Sequence, residues 1–149
     1  MKIKEVMIKD VISLNANDSA LTALDKLFKM QISGLPVVDD EGKLVGMFTE
    51  KEIIARILPS YMENVGKFVY EENPKQVKQK IINFNNLKVE DIMRREVITI
   101  SEDATLCEAA HLMLTQKARR IPVLDNNKDM SGIISRGDVV KALVKEYTV

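Results

Sequence analysis

Two stretches of this chain repeat one another at a fixed distance, and that duplication limits the possible folds more than any other feature. Leu35-Pro36-Val37-Val38, followed by Gly46-Met47-Phe48-Thr49-Glu50-Lys51-Glu52, returns as Ile121-Pro122-Val123-Leu124, followed by Gly132-Ile133-Ile134-Ser135-Arg136-Gly137-Asp138. Pro36 and Pro122 lie 86 residues apart, as do Gly46 and Gly132, Met7 and Met93, and Val11 and Val97. Each copy reads as an apolar strand, a polar turn and a second apolar strand, ending on Ser or Thr with an acid three residues further on. A unit of roughly 60 residues is marginal alone, whereas two units burying their sheets against each other make a viable domain.

Taken in order, the first copy predicts a short helical lead-in over residues 1–7, a brief strand over 11–14 and a helix N-cap in Asn17-Asp18-Ser19. Leu21, Leu24, Leu27 and Phe28 then recur at helical spacing as far as Met30. Strands over 35–38 and 44–48 flank an acidic turn, and Thr49 opens a helix carrying Ile53, Ile54, Ile57 and Leu58. The second copy predicts strands over 97–100, 121–124 and 130–134 and helices over 105–116 and 136–147, with the first helix slipped by one residue relative to its counterpart. Between the copies, Tyr61, Phe68, Tyr70 and Phe84 supply four of the seven aromatics, too many for a solvated linker. An ordered connector is expected, with a helix running from Pro74 past Ile81 and Ile82, packed on the repeats or on another subunit. The domain plan is 1–58, a connector over 59–88, and 89–149. The fold class is α/β (α+β), a pseudo-twofold pair of small sheets flanked by helices.

Charge balance narrows the partners. Lys and Arg number 22, as do Asp and Glu, so no global field would draw nucleic acid or anionic lipid. No apolar run is long enough to span a bilayer, and charges interrupt the N-terminus where a signal core would lie. A cytoplasmic location is expected. Cys107 is the one cysteine, which excludes an internal disulfide and a thiolate metal cluster; beside an apolar helix stripe it reads as a small core residue. His111, the sole histidine, sits inside a predicted helix and suits a structural or surface role. With no P-loop, no paired His-Glu metal motif and no full calcium-loop spacing, no catalytic constellation or metal site is expected, and the chain is read as not an enzyme.

Ile32-Ser33-Gly34-Leu35-Pro36-Val37-Val38-Asp39 with Gly46 to Thr49, and Arg120 to Asp125 with Gly132 to Asp138, resemble the cystathionine-β-synthase (CBS) domain. The whole chain resembles a tandem CBS pair, the Bateman module. The resemblance implies a regulatory protein that binds an adenosine-containing ligand (AMP, ADP, ATP or S-adenosylmethionine) in a cleft between repeats and signals by a conformational change. With no attached domain expected, it would act on a separate regulated partner, and it would form a homodimer. The competing class is a dimerising scaffold whose clefts hold no ligand.

Two acids are the candidate ribose anchors. Ser135-x-x-Asp138 completes the family pattern: the hydroxyl and free amides at a helix start suit a phosphate, and a carboxylate accepts from ribose hydroxyls. Arg119 and Arg120 lie where related sequences place phosphate contacts. Gly137 and Ile133 belong to the same segment, and the resemblance implies an adenine slot lined by Met7, Ile12 and Ile32, residues that plain core packing accounts for equally well. A second, weaker site would use Thr49, Glu52, Met93, Ile98 and Ala118, with Ser33 and Gly34 where the arginines stand. Both Ser135/Asp138 and Thr49/Glu52 also fit a capping box, which needs no ligand. Glu52 is the better capping partner, so the ligand reading favours Asp138.

Overall fold

The computed structural model describes residues 1–57 and 74–148. Strand β1 (Leu14–Asn15), helix α1 (Ala20–Met30), strands β2 (Gly34–Val38) and β3 (Leu44–Thr49) and helix α2 (Glu50–Ile57) form the first repeat. Helix α3 (Pro74–Asn83), a 3-10 turn at Phe84–Asn86 and the short helix α4 (Val89–Ile92) follow. The second repeat holds β4 (Ile100–Ser101), α5 (Leu106–Gln116), β5 (Arg120–Leu124), β6 (Met130–Ser135) and α6 (Arg136–Tyr147). Two three-stranded sheets result, ordered β1-β2-β3 and β4-β5-β6, with β1 parallel to β2, β4 parallel to β5, and β5 antiparallel to β6.

The duplication extends to backbone detail. Helices α1 and α5 each end on a left-handed non-glycine residue, Gln31 (φ 54°) and Lys117 (φ 55°), at equivalent positions. The expected one-residue slip between these helices is absent: both start and stop at the same offset. Their buried faces are Ala20, Ala23 and Leu27 in one and Leu106, Ala109 and Met113 in the other. The Leu21-Leu24 spacing had suggested a different phase; those two are only partly buried, and Phe28 is 64% exposed. Ser19 sits at the N-cap of α1 without a side-chain cap bond, whereas Thr105 caps α5 by accepting from the Glu108 amide. The strands expected over 11–14 and 97–100 shrink to Leu14–Asn15 and Ile100–Ser101, and the lead-in is a 3-10 turn at Ile3–Glu5.

The chain closes two cores, and neither is a contiguous repeat. One compact unit takes Ser13–Glu41 and Val45–Glu96; the other takes Met1–Ile12, Gly42–Leu44 and Val97–Val149. Each repeat's sheet receives the lead-in of the other. Ile8 and Ile133 exchange two backbone hydrogen bonds of 2.9 Å, and Met47 and Arg94 exchange two of 2.9 and 2.8 Å. The Met1 carbonyl accepts from Leu106 N at the start of α5, as the Leu87 carbonyl accepts from Ala20 N at the start of α1. Helix amides that lack an intrahelical acceptor are thereby satisfied by the incoming segment. Close approach needs glycine: a Cβ at Gly132 would stand 2.5 Å from Met7 Sδ, and one at Gly46 2.5 Å from Met93 Sδ.

The first unit's core is centred on Leu14, Leu27, Val37, Phe48, Phe84 and Val89, and the second's on Ile3, Leu106, Ile121, Val123 and Ile134. Phe84 is 2% exposed, so that part of the connector is anchored, but Ile81 and Ile82 are each 45% exposed rather than buried as expected. Leu58, Tyr61, Phe68 and Tyr70 lie outside the described residues. No helix among the described residues is long and apolar enough to cross a membrane.

Candidate functional site

Helix α6 and the strand before it present the best-equipped cluster. Ser135 and Asp138 form a capping box: Asp138 Oδ2 accepts from Ser135 N at 2.9 Å and from Ser135 Oγ at 2.8 Å, while Asp138 N donates to Ser135 Oγ at 3.2 Å. The helix start therefore holds its acid in a fixed rotamer, half-buried, at Oδ2. The Ser135 hydroxyl proton is given to Asp138 Oδ2, and the hydrogen bonds that Asp138 accepts fall on Oδ2 rather than Oδ1. Gly137 keeps the first turn open, since an added Cβ would meet nothing nearer than Ser135 Oγ at 3.8 Å.

The arginines stand on the same unit. Arg120 faces Ser135 in the β5–β6 register, and the Arg119 carbonyl accepts from Arg136 N at 3.1 Å. Sequence reasoning passed over Arg136, whose Nε donates to the Ala118 carbonyl at 3.3 Å. No sequence spacing pointed to it, because the bond is a fold-back to the segment between α5 and β5.

Of the expected adenine slot, Met7 is half-buried and packs over Gly132, Ile133 is half-buried, and Ile12 is 47% exposed. The Ile133 backbone is paired with Ile8 and so is not an unpaired edge. Arg119, Arg120, Ile133, Ser135, Gly137, Asp138, Met7 and Ile12 all belong to one compact unit, whereas Ile32 belongs to the other. The second proposed set is divided as well: Thr49, Glu52 and Met93 lie in one unit, Ile98 and Ala118 in the other. Glu52 accepts from the Thr49 hydroxyl, and Met93 is a core residue at 7% exposure.

The remaining candidates fall away on geometry. Cys107 is exposed rather than in the core. With the exposed His111 it borders an open hollow of about 600 Å³, but Glu108 there is committed to the α5 cap, its Oε2 accepting from Thr105 N at 2.7 Å. Among the described residues no cluster of three potential metal ligands occurs.

The CBS domain family model matches residues 3–59 and 89–145. The uncharacterized protein MJ1426 of Methanocaldococcus jannaschii is 36% identical over 97% of this chain and 92% of its own length. Two other relatives from that organism are matched over 23% and 31% of their lengths. Among solved structures, CBSX2 in complex with AMP, a CBS-pair protein of Arabidopsis thaliana, superimposes with a TM-score of 0.74 at 25% identity, covering 97% of each chain. The CBS domain pair of protein MJ0100, in complex with 5-methylthioadenosine and S-adenosyl-L-methionine, gives 0.68 at 25% identity over 98% of each chain.

Proposed function

The chain belongs to the CBS domain family as a tandem pair, a Bateman module, and on that premise we propose that it is a non-catalytic regulatory module that binds an adenosyl ligand. The observation that carries this reading is Asp138, held by its capping box through Oδ2 at an uncrowded helix start, with Arg120 opposite Ser135 in the strand register. Ribose hydroxyls would donate to Oδ1, phosphate would meet the guanidiniums, and the ring would lie along Met7 and Ile133. The reading is supported by relatives of the same fold that hold AMP in one case and methylthioadenosine with S-adenosylmethionine in another. Binding regulates only as far as the ligand prefers one conformation over another. Thermal melting with AMP, ADP, ATP, S-adenosylmethionine and methylthioadenosine tests it. A ligand at about 100 times its Kd adds about 2.7 kcal/mol of stability. Absence of a shift with all five leaves the ligand-free scaffold as the better account.

We also propose that the protein assembles as a homodimer. Phe28 and Ile54 are 64% and 57% exposed, and the residues at the equivalent places of the second repeat, Leu114 and Val140, are 82% and 58% exposed. Val144 and Tyr147 extend the second patch. Large apolar side chains left in water at matching positions of both repeats favour a self-complementary partner. Light scattering at micromolar concentration should give twice the chain mass, and Leu114→Lys with Val140→Lys should halve it; a monomer mass for the unsubstituted protein rules the dimer out.

A further inference from the structure

The lead-in contacts come as a matched pair: shifting each residue by 86 positions turns Ile8–Ile133 into Arg94–Met47. The ion pair between Lys43 and Asp129 behaves differently, because these two residues are themselves 86 apart and each is the other's counterpart. Exchanging the repeats therefore returns the same contact. The turns that carry the two residues match in backbone detail. Glu41 N donates to Asp39 Oδ1 at 2.9 Å, as Asn127 N donates to Asp125 Oδ1 at 2.9 Å, and Gly42 and Lys128 both hold left-handed backbone. Asp125 Oδ1 also accepts from Asp129 N at 3.0 Å, which fixes the second turn's acid. Gly42–Leu44 accordingly belong to the compact unit that contains Val97–Val149. Two like frames thus meet at one shared position, and there they carry opposite charge.

We infer that Lys43 and Asp129 act as a pairing code, favouring closure of the first repeat's turn on the second's and disfavouring the contact that two copies of the same repeat would make. A duplicated chain needs such a device. The strands, turns and lead-in bonds are alike in both repeats, so backbone hydrogen bonding does not tell first-with-second from first-with-first. Charge does. In the same frame two first repeats would set Lys43 against Lys43, and two second repeats Asp129 against Asp129. Both side chains are about half-exposed, so the attraction shifts an equilibrium by no more than about fivefold. Like charges directly opposite act in the other sense by a similar factor. Selectivity is the difference between the right and the wrong pairing, and the penalty on the wrong one contributes as much as the attraction in the right one. The code operates with or without a ligand and is independent of the adenosyl reading.

Urea unfolding of the full chain in low salt tests this. Lys43→Asp puts two acids at the shared position, the contact of two second repeats, and Asp129→Lys puts two lysines there, the contact of two first repeats. Each should lower the folded-to-unfolded ratio by roughly tenfold. Lys43→Gln and Asp129→Asn remove the attraction without adding repulsion, and each should cost only about threefold. The reversed chain, carrying Lys43→Asp and Asp129→Lys together, should recover most of the unsubstituted midpoint, which a loss of turn packing would not allow. All of these differences should shrink in high salt. A reversed chain no more stable than the single variants overturns the inference. So do like-charged variants as stable as the neutral ones, or differences that persist undiminished in high salt.

Discussion

Replacing Gly132 by alanine should loosen the lead-in from the second repeat's sheet. The added Cβ would stand 2.5 Å from Met7 Sδ, 2.8 Å from Met7 Cγ and 2.9 Å from the Ile8 carbonyl oxygen. The thioether is flexible and can swing away, but the carbonyl is backbone and is already bonded to Ile133 N at 2.9 Å. Relief therefore requires the lead-in to move off β6, weakening the paired Ile8–Ile133 bonds. Overpacking of this kind costs about 1–3 kcal/mol, and each weakened backbone bond about 1 kcal/mol if lost outright. A loss near 2 kcal/mol is a large share of the ~5–15 kcal/mol typical of a domain. Gly137→Ala provides the internal control, because its Cβ enters open space and alanine is the better helix former; it should stabilise by about 0.5–1 kcal/mol. Urea unfolding followed by circular dichroism measures both, and hydrogen exchange locates the effect, with the Ile8 and Ile133 amides losing protection in Gly132→Ala. An unchanged midpoint together with unchanged exchange at Ile8 would refute the account of why glycine stands at this position.

Asp138→Ala should weaken nucleotide binding by roughly 10- to 150-fold, from a charge-assisted contact of about 1.5–3 kcal/mol, while Glu52→Ala mainly weakens a helix cap by about 1 kcal/mol; calorimetry showing the reverse pattern would misplace the site. The Lys4 ammonium, hydrogen-bonded to Asp103 at 3.0 Å, holds the Asp103 carboxyl below its usual range. That contribution to stability is present above the unfolded carboxyl pKa and is lost as pH falls through the lower folded value, so Asp103→Asn should flatten part of the acid limb of a urea-midpoint-versus-pH curve. The effect should be small and should shrink with salt, since the pair is solvent-exposed. Lys128 carries φ 64° where its counterpart Gly42 carries φ 80°, so Lys128→Gly should relieve a left-handed strain of about 1 kcal/mol, offset in part by glycine's added chain entropy; a lowered melting temperature would contradict this.

Much of the fold was legible because duplication and period speak directly: the strands around Pro36 and Pro122, and the helix after Ser135, follow from apolar spacing and a capping pattern. The phase of α1 was not, because leucines at 21 and 24 outweigh Ala20 and Ala23 in any apolar count, yet it is the alanines, with Leu27, that the helix buries. Cys107 misled in a similar way. Its neighbours Leu106 and Ala109 face the core, and a residue between them on a helix points outward. At the candidate site the acid and the arginine pair were visible as motif members. Arg136 was hidden because its bond to the Ala118 carbonyl is a fold-back that no spacing rule encodes. The exchange of lead-ins was implied only by the family resemblance, which sets Met7 with the Asp138 segment and Met93 with Thr49 and Glu52; as bare sequence, Met7 and Met93 are interchangeable.

That exchange ties covalent and physical continuity together in an unexpected way. Because residues 1–12 complete the unit that closes around residues 97–149, and residues up to 96 complete the other, each half of the chain carries a clasp for the other half. A single cut between α2 and α3 would sever the backbone yet leave both fragments interlocked, with Ile8 still bonded to Ile133 and Met47 to Arg94. Conversely, a fragment holding one repeat alone would lack the clasp that seats on its own sheet and could finish folding only by borrowing one. Two separately made halves are therefore suited to reassemble by complementation, each serving as the other's missing edge.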